Sequence, residues 1–314
     1  MIARQRLAQI DALKGIAILG VLALHAIPGI HRGVAVELHA AQAVSMFLIL
    51  WGLNYGMSFK RRGYGQEGVM YPQEYIINQF KRLGLPLAVA FIAAAIVGGD
   101  KARWNRYLLL GRLPIAGPGN YFISLVIQLA AIFPILYWLY KKHPKLTVIG
   151  GFMIEAGWQW WTGNRPIPTM HYWIWGYFSA VVLGLWLSDG YKMQRRNWWL
   201  LGLAGISLGL LIMAGPRVYL PAWSTQSGVS VFYPAGLIVV GITYLPQVAS
   251  GWLYKYLIKL GQASYQIFLV QIIYFGIDPF KSLALAGLKP VVDILICSEV
   301  GKLFYRQLSW SKSG

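Results

Sequence analysis

The sequence predicts an all-α, polytopic membrane protein of about ten transmembrane helices, with both termini on the cytoplasmic side. Three observations carry that expectation. The 314 residues are 57% hydrophobic and 12% charged, where a soluble globular chain carries about 25% charged residues. A mean hydropathy of +0.52 leaves too little polar surface to cover a body exposed to water, so most of the outside faces lipid. Finally, apolar runs long enough to cross a hydrocarbon core of about 30 Å recur along the whole chain, bounded by charges, Pro or Gly.

In order, the first run covers residues 13 to 30, after Asp11 and including Lys14 and His25. The second, 38 to 58, begins beside Glu37 and His39 and ends on Lys60, Arg61 and Arg62. The third, 83 to 99, is entered through Lys81 and Arg82, and the fourth, 119 to 140, stops at Lys141 and Lys142. A single carboxylate, Glu155, interrupts the fifth, 146 to 163. An aromatic stretch with Trp158, Trp160, Trp161 and His171 leads into the sixth, 171 to 189. Runs at 198 to 214, 229 to 248 and 259 to 277 follow, then one at 285 to 303 that Lys289, Pro290, Asp293 and Glu299 break up.

The formal charge is +18. With the N-terminus inside, most of the basic residues fall in the cytoplasmic segments, which is the positive-inside bias, and an even number of spans puts the C-terminal basic residues on the same face. Membrane topology thus accounts for the charge, and no nucleic-acid partner is expected. An N-terminal signal peptide is the competing reading of the start, but nine more spans follow the first. No composition shift or linker divides the chain, so residues 1–314 read as a single membrane-embedded domain. Neither an internal repeat nor a broken helix is visible. One cysteine, Cys297, and five scattered histidines supply no ligand spacing for a metal, and none is expected.

The first run has the most informative spacing. At about 100° per residue, the steps from Lys14 to His25 return the helix to within about 20° of the same face, about 16 Å further along. Asp11 precedes Lys14 by three residues, where carboxylate and ammonium can pair. All three therefore share one stripe. A histidine so deep in a span points into the bundle or a wet cavity, either as a hydrogen-bonded structural group or as a functional one. A neutral imidazole can take a proton from a hydroxyl, which makes His25 a candidate general base.

The segment IDALKGIAILGVLALHA, with ten residues between Lys14 and His25, resembles the first span of the acyltransferase-3 family. SMFLILWGLNY at Ser45 to Tyr55 is similar to that family's aromatic second span, and QFKRLGLP at Gln79 to Pro86 to its basic entry into the third. YFISLVIQLAAIFP at Tyr121 to Pro134 and LGQASYQIFLVQ at Leu260 to Gln271 extend the likeness over most of the chain. Gln79, Trp51 and Gln271 depart from the family pattern, which has Arg, Ser and often His there.

The resemblance implies a multi-pass protein of the inner cell membrane, surrounded by lipid, that moves an acetyl group from cytoplasmic acetyl-CoA to a hydroxyl of a glycan or glycolipid acceptor. It assigns Lys14 and Arg82, with Lys81 and Asp11 beside them, to the acyl-CoA end and His25 to proton removal.

The residues allow further candidates, each with a plainer alternative. Glu155 orients His25, binds an acceptor hydroxyl, or is a neutral, hydrogen-bonded structural acid; Asn54 faces a developing oxyanion. Glu37, His39, Trp160 and His171 are candidate acceptor contacts, although tryptophans collect at any bilayer interface. Lys81 and Arg82 also satisfy the positive-inside rule without any ligand. Asn54, Gln128, Ser264 and Gln271 line a channel or join helices. Gly205, Ser207 and Gly209 spell a hydrolase elbow, but inside a continuous apolar run they read as small residues for close helix packing. The rival from another class is a transporter or exporter of a glycan-related substrate in which His25 and Glu155 relay protons.

Overall fold

The computed structural model describes residues 8–27, 42–64, 71–98, 111–163, 173–189, 198–214, 228–248, 251–279 and 287–310. Glu37, His39 and His171 lie outside them. Among the described residues every regular element is helical. In chain order the α-helices are α1 (Ala8–Ala26), α2 (Ala43–Arg62), α3 (Gln73–Gln79), α4 (Leu85–Gly98), α5 (Tyr121–Lys142), α6 (Pro144–Gly163), α7 (Phe178–Asp189), α8 (Trp198–Ala214), α9 (Phe232–Val248), α10 (Trp252–Gln262), α11 (Ser264–Ile277) and α12 (Lys289–Trp310). A π-helical turn, Phe80–Gly84, joins α3 to α4, and 3₁₀ turns at Ile174–Tyr177 and Gly228–Val231 lead into α7 and α9.

Three helical units among the described residues are long and apolar enough to cross a membrane: Ala8–Ala26, Gln73–Gly98 and Tyr121–Lys142. The pair α10 and α11 makes a fourth when taken as one span broken by a 72° bend. Ile174–Asp189, Trp199–Gly209 and Phe232–Leu245 are apolar but shorter.

Two differences from the sequence reading matter for the site. The third helical unit begins at Gln73, well before residue 83, because the π turn carries the helix through Lys81 and Arg82 instead of ending it there. Arg82 therefore sits within a helix and does not open one. The ninth run is not straight: it breaks at Ala263, so a broken helix is present after all.

Helices approach most closely where a side chain is missing. Backbone carbonyls of Leu257 and Asp11 occupy the space that a Cβ on Gly15 and on Gly261 would need, which lets α10 lie against the first half of α1. Gly52 and Gly184 do the same for α2 against α7. In lipid, where apolar surface gains little from association, such contacts supply the packing. Pro134 lies inside α5 and leaves the Ala130 carbonyl without its helical donor. The Tyr75 hydroxyl replaces it at 2.7 Å, and Tyr71 donates to Ala131 O at 2.6 Å. The irregular backbone ahead of α5 is buried at Leu113, Pro114 and Ile115. Asn120 ties it together by accepting from Leu113 N at 2.9 Å and donating to the carbonyls of Leu113 at 2.9 Å and Ile115 at 3.0 Å. This loop packs on α11 through Gly117 and through Gly119, whose φ of 78° suits glycine.

Candidate functional site

Asp11 lies in the first turn of α1, where the helix dipole favours an acid. It is buried, and Lys14 Nζ stands 3.9 Å from its Oδ1, with side-chain exposures of 16% for Lys14 and 3% for Asp11. The packing of α10 explains the burial, because Gly261 seats its backbone on the Asp11 carbonyl. A charge so enclosed needs a partner, and the lysine supplies one.

His25 occupies the last turn of the same helix. Its ring is half-buried and lies 6.2 Å from that of Phe275 on α11, inclined at 59°. It is neither sealed among aliphatic side chains nor fully exposed. Asp11 meets Gly261 and His25 meets Phe275, and each partner lies fourteen residues further along. From Gly261, just before the bend, to Phe275 on α11, the chain thus passes from the Asp11 end of α1 to its His25 end.

The bend also gathers the second set of cations. Just before it, Gly261 touches the Asp11 segment; just after it, the Tyr265 hydroxyl donates to Leu83 O at 3.4 Å on the π turn. Lys81 and Arg82 flank that contact and are exposed. A π turn re-aims the side chains it carries and is often found at functional sites. Lys14, Lys81 and Arg82 thus belong to one end of the bundle, and His25 to the other end of α1.

The remaining candidates are distributed elsewhere. Asn54 is half-buried and precedes Tyr55, whose hydroxyl donates to Gln79 Oε1 at 2.9 Å. Asn54 is therefore level with the π turn and not with His25. Glu155 is buried; its Oε2 accepts from Ser179 N at 2.8 Å, and Oε1 from Gln159 Nε2 at 3.2 Å. That carboxylate serves the start of α7 as a cap serves a helix N-terminus. Trp160 is 73% exposed, as an interfacial tryptophan is. Ser207 is buried within α8, so no elbow exists there; among the described residues, a Cβ on Gly205 or Gly209 would meet nothing within 4 Å, so those glycines do not mediate the close packing expected of them. Cys297 is buried and free of any disulfide.

Two features carried too little signal in the sequence. Asp293, read only as an interruption, is fully buried and accepts from the Tyr274 hydroxyl at 2.6 Å and from Lys289 at 2.8 Å, with Asp278 at 3.1 Å from the same ammonium. The i, i+4 spacing of Lys289 and Asp293 is the clue that was available. Gln271 is fully buried, and among the described residues neither its Oε1 nor its Nε2 has a hydrogen-bond partner. Leaving such groups unpaired costs about 1–3 kcal/mol.

The family model described as acyltransferase domain matches residues 7–297. No curated protein and no solved structure matches the chain. The matched stretch begins one residue before α1 and ends within α12, so it takes in Asp11, Lys14, the π turn, the bend and His25.

Proposed function

This chain belongs to the acyltransferase-3 family, and on that premise we propose that it transfers an acetyl group from cytoplasmic acetyl-CoA to a hydroxyl of a cell-envelope or exported glycan. It does so from the inner membrane as a protein of ten spans with both termini inside. The observation that carries the proposal is the stripe on α1, with the Asp11/Lys14 pair at one end and half-buried His25 at the other.

Lys14, Lys81 and Arg82 meet the coenzyme A phosphates at the cytoplasmic end, where cations and phosphate oxygens form charge-assisted hydrogen bonds. The pantetheine arm runs along α1 and brings the thioester to His25. The His25 imidazole accepts the proton of the acceptor hydroxyl while that oxygen attacks the thioester carbon. Collapse of the tetrahedral intermediate breaks the C–S bond, and the thiolate recovers the proton from the imidazolium. The products are the acetyl ester and coenzyme A. No covalent intermediate on the protein is needed.

Membranes carrying the wild-type protein or His25→Ala, supplied with acetyl-CoA labelled in the acetyl group, test this. Label in envelope glycans from the wild type alone is the expected result. One observation favours a second reading: the 72° break between α10 and α11 resembles the discontinuous helices of transporters. An exporter would carry its glycan-related substrate across without incorporating label.

A further inference from the structure

We infer that the Gln271 carboxamide donates a hydrogen bond to the acyl carbonyl oxygen at the point of transfer. This rests on the acyl-transfer reading above and adds to it the group that faces the developing oxyanion.

The level of Gln271 follows from its neighbours. Gly261, at the end of α10 just before the bend, touches the Asp11 end of α1, and Phe275 on α11 lies beside His25. Gln271 precedes Phe275 by four residues, so it lies on the same face of α11, about 6 Å nearer the cation-bearing end. A thioester arriving from that end passes Gln271 immediately before His25. Asn54, the oxyanion group expected from the sequence, is level with the π turn instead.

The state of the side chain points to a ligand. Gln271 is 0% exposed, yet among the described residues its amide nitrogen and oxygen are both unpartnered. Buried amides in a membrane bundle ordinarily bond to a neighbouring helix or to water, because an unpaired one is costly in a low-dielectric interior. The loop backbone comes close to the nitrogen because a side chain is missing there. A Cβ on Gly119 would sit 3.3 Å from Gln271 Nε2 and 3.1 Å from Phe268 Cζ, and the φ of 78° at Gly119 excludes most side chains on its own account. Asn120 holds that loop through the carbonyls of Leu113 and Ile115, so the backbone facing the amide nitrogen is fixed.

The chemistry asks for such a donor. When the acceptor oxygen bonds to the thioester carbon, the carbonyl π electrons move onto oxygen; when the C–S bond breaks, they return. A neutral N–H that is already desolvated and aimed needs little reorganisation to meet the transient charge. The amide takes no proton and forms no bond to carbon, so His25 remains the only proton acceptor in the step.

Gln271→Leu keeps the approximate volume and removes the donor; Gln271→Met is a second apolar variant in case the first fails to accumulate. In membranes supplied with labelled acetyl-CoA, either should lower kcat by about 100- to 1000-fold while KM for acetyl-CoA stays close to the wild-type value. Thermal stability in detergent should hold or rise, since an unpaired polar group has been removed. As a readout independent of turnover, the infrared band of bound acetyl-CoA carrying a 13C carbonyl should lie at lower frequency in wild type than in the variant, both measured without acceptor. Equal kcat, an unchanged carbonyl band, or a loss confined to KM overturns the assignment and leaves acyl transfer standing. A wild-type protein that incorporates no label overturns both.

Discussion

The first and third helical units make an instructive pair. Both are long and apolar enough to span a bilayer, and Gln73–Gly98 is the more apolar, with a mean hydropathy of 1.8 against 1.4 for Ala8–Ala26. Burial runs the other way: 56% of the first is covered by protein and only 17% of the third. In a soluble protein the greasier helix would be central. In a membrane, lipid already solvates Ile92 and Ile96, which are 60% and 79% exposed. Close backbone approach and polar contact then decide what is interior. α1 carries Asp11, Lys14, Gly15 and His25, whereas α4 is apolar throughout from Leu85 to Gly98. The polar stripe that draws α1 inward is also the one assigned to chemistry.

The contrast would break most directly at His25. Replacement by Ala should lower glycan acetylation by about 100- to 10,000-fold, the range for a lost general base; equal label incorporation by both proteins would remove α1 from the chemistry. Second in size is the seam between α1 and α10. Gly261→Val sets a branched side chain against the Asp11 carbonyl and should destabilise the protein by about 2–3 kcal/mol, read as thermal unfolding in detergent. Ile96→Ala on the lipid-facing helix should stay within about 0.5 kcal/mol. Comparable losses from the two substitutions would mean that both helices are held in the same way.

Lys14→Met should destabilise by about 1–3 kcal/mol because it removes the ammonium beside the buried Asp11 carboxylate, and pairing it with Asp11→Asn should recover part of the loss in a double-mutant cycle. The partial exposure of Lys14 sets this below the cost of a fully enclosed pair. Smallest is Arg82→Ala. Its side chain is exposed, so unfolding should be unchanged, while KM for acetyl-CoA rises several-fold and more steeply with salt than in the wild type. An unfolding shift as large as that of Lys14→Met would show that the π turn needs its cation structurally.

Much of this was legible from residue order. Trp198–Ala214 begins and ends where the apolar run does, because charged and turn residues bound it on both sides. The Asp11, Lys14 and His25 stripe follows from helical periodicity alone. Lys81 and Arg82 misled because a cationic pair is a common helix boundary, whereas here a π turn absorbs them. The break at Ala263 has no proline to announce it. Gly205 and Gly209 had the spacing of a packing motif, but no helix described here comes close enough to use it.

By itself the sequence determined that the chain is helical and built for lipid, that three ionisable groups share one face of its first helix, and which family's pattern it carries. Those properties are local, set by hydropathy and by the period of the helix. Only the tertiary structure decided that Asp11 is enclosed by α10, that His25 stands beside Phe275, and that Gln271, one turn away, is buried with no partner among the described residues. Each depends on which backbones can meet, and that is settled jointly by glycines and polar groups far apart in the chain.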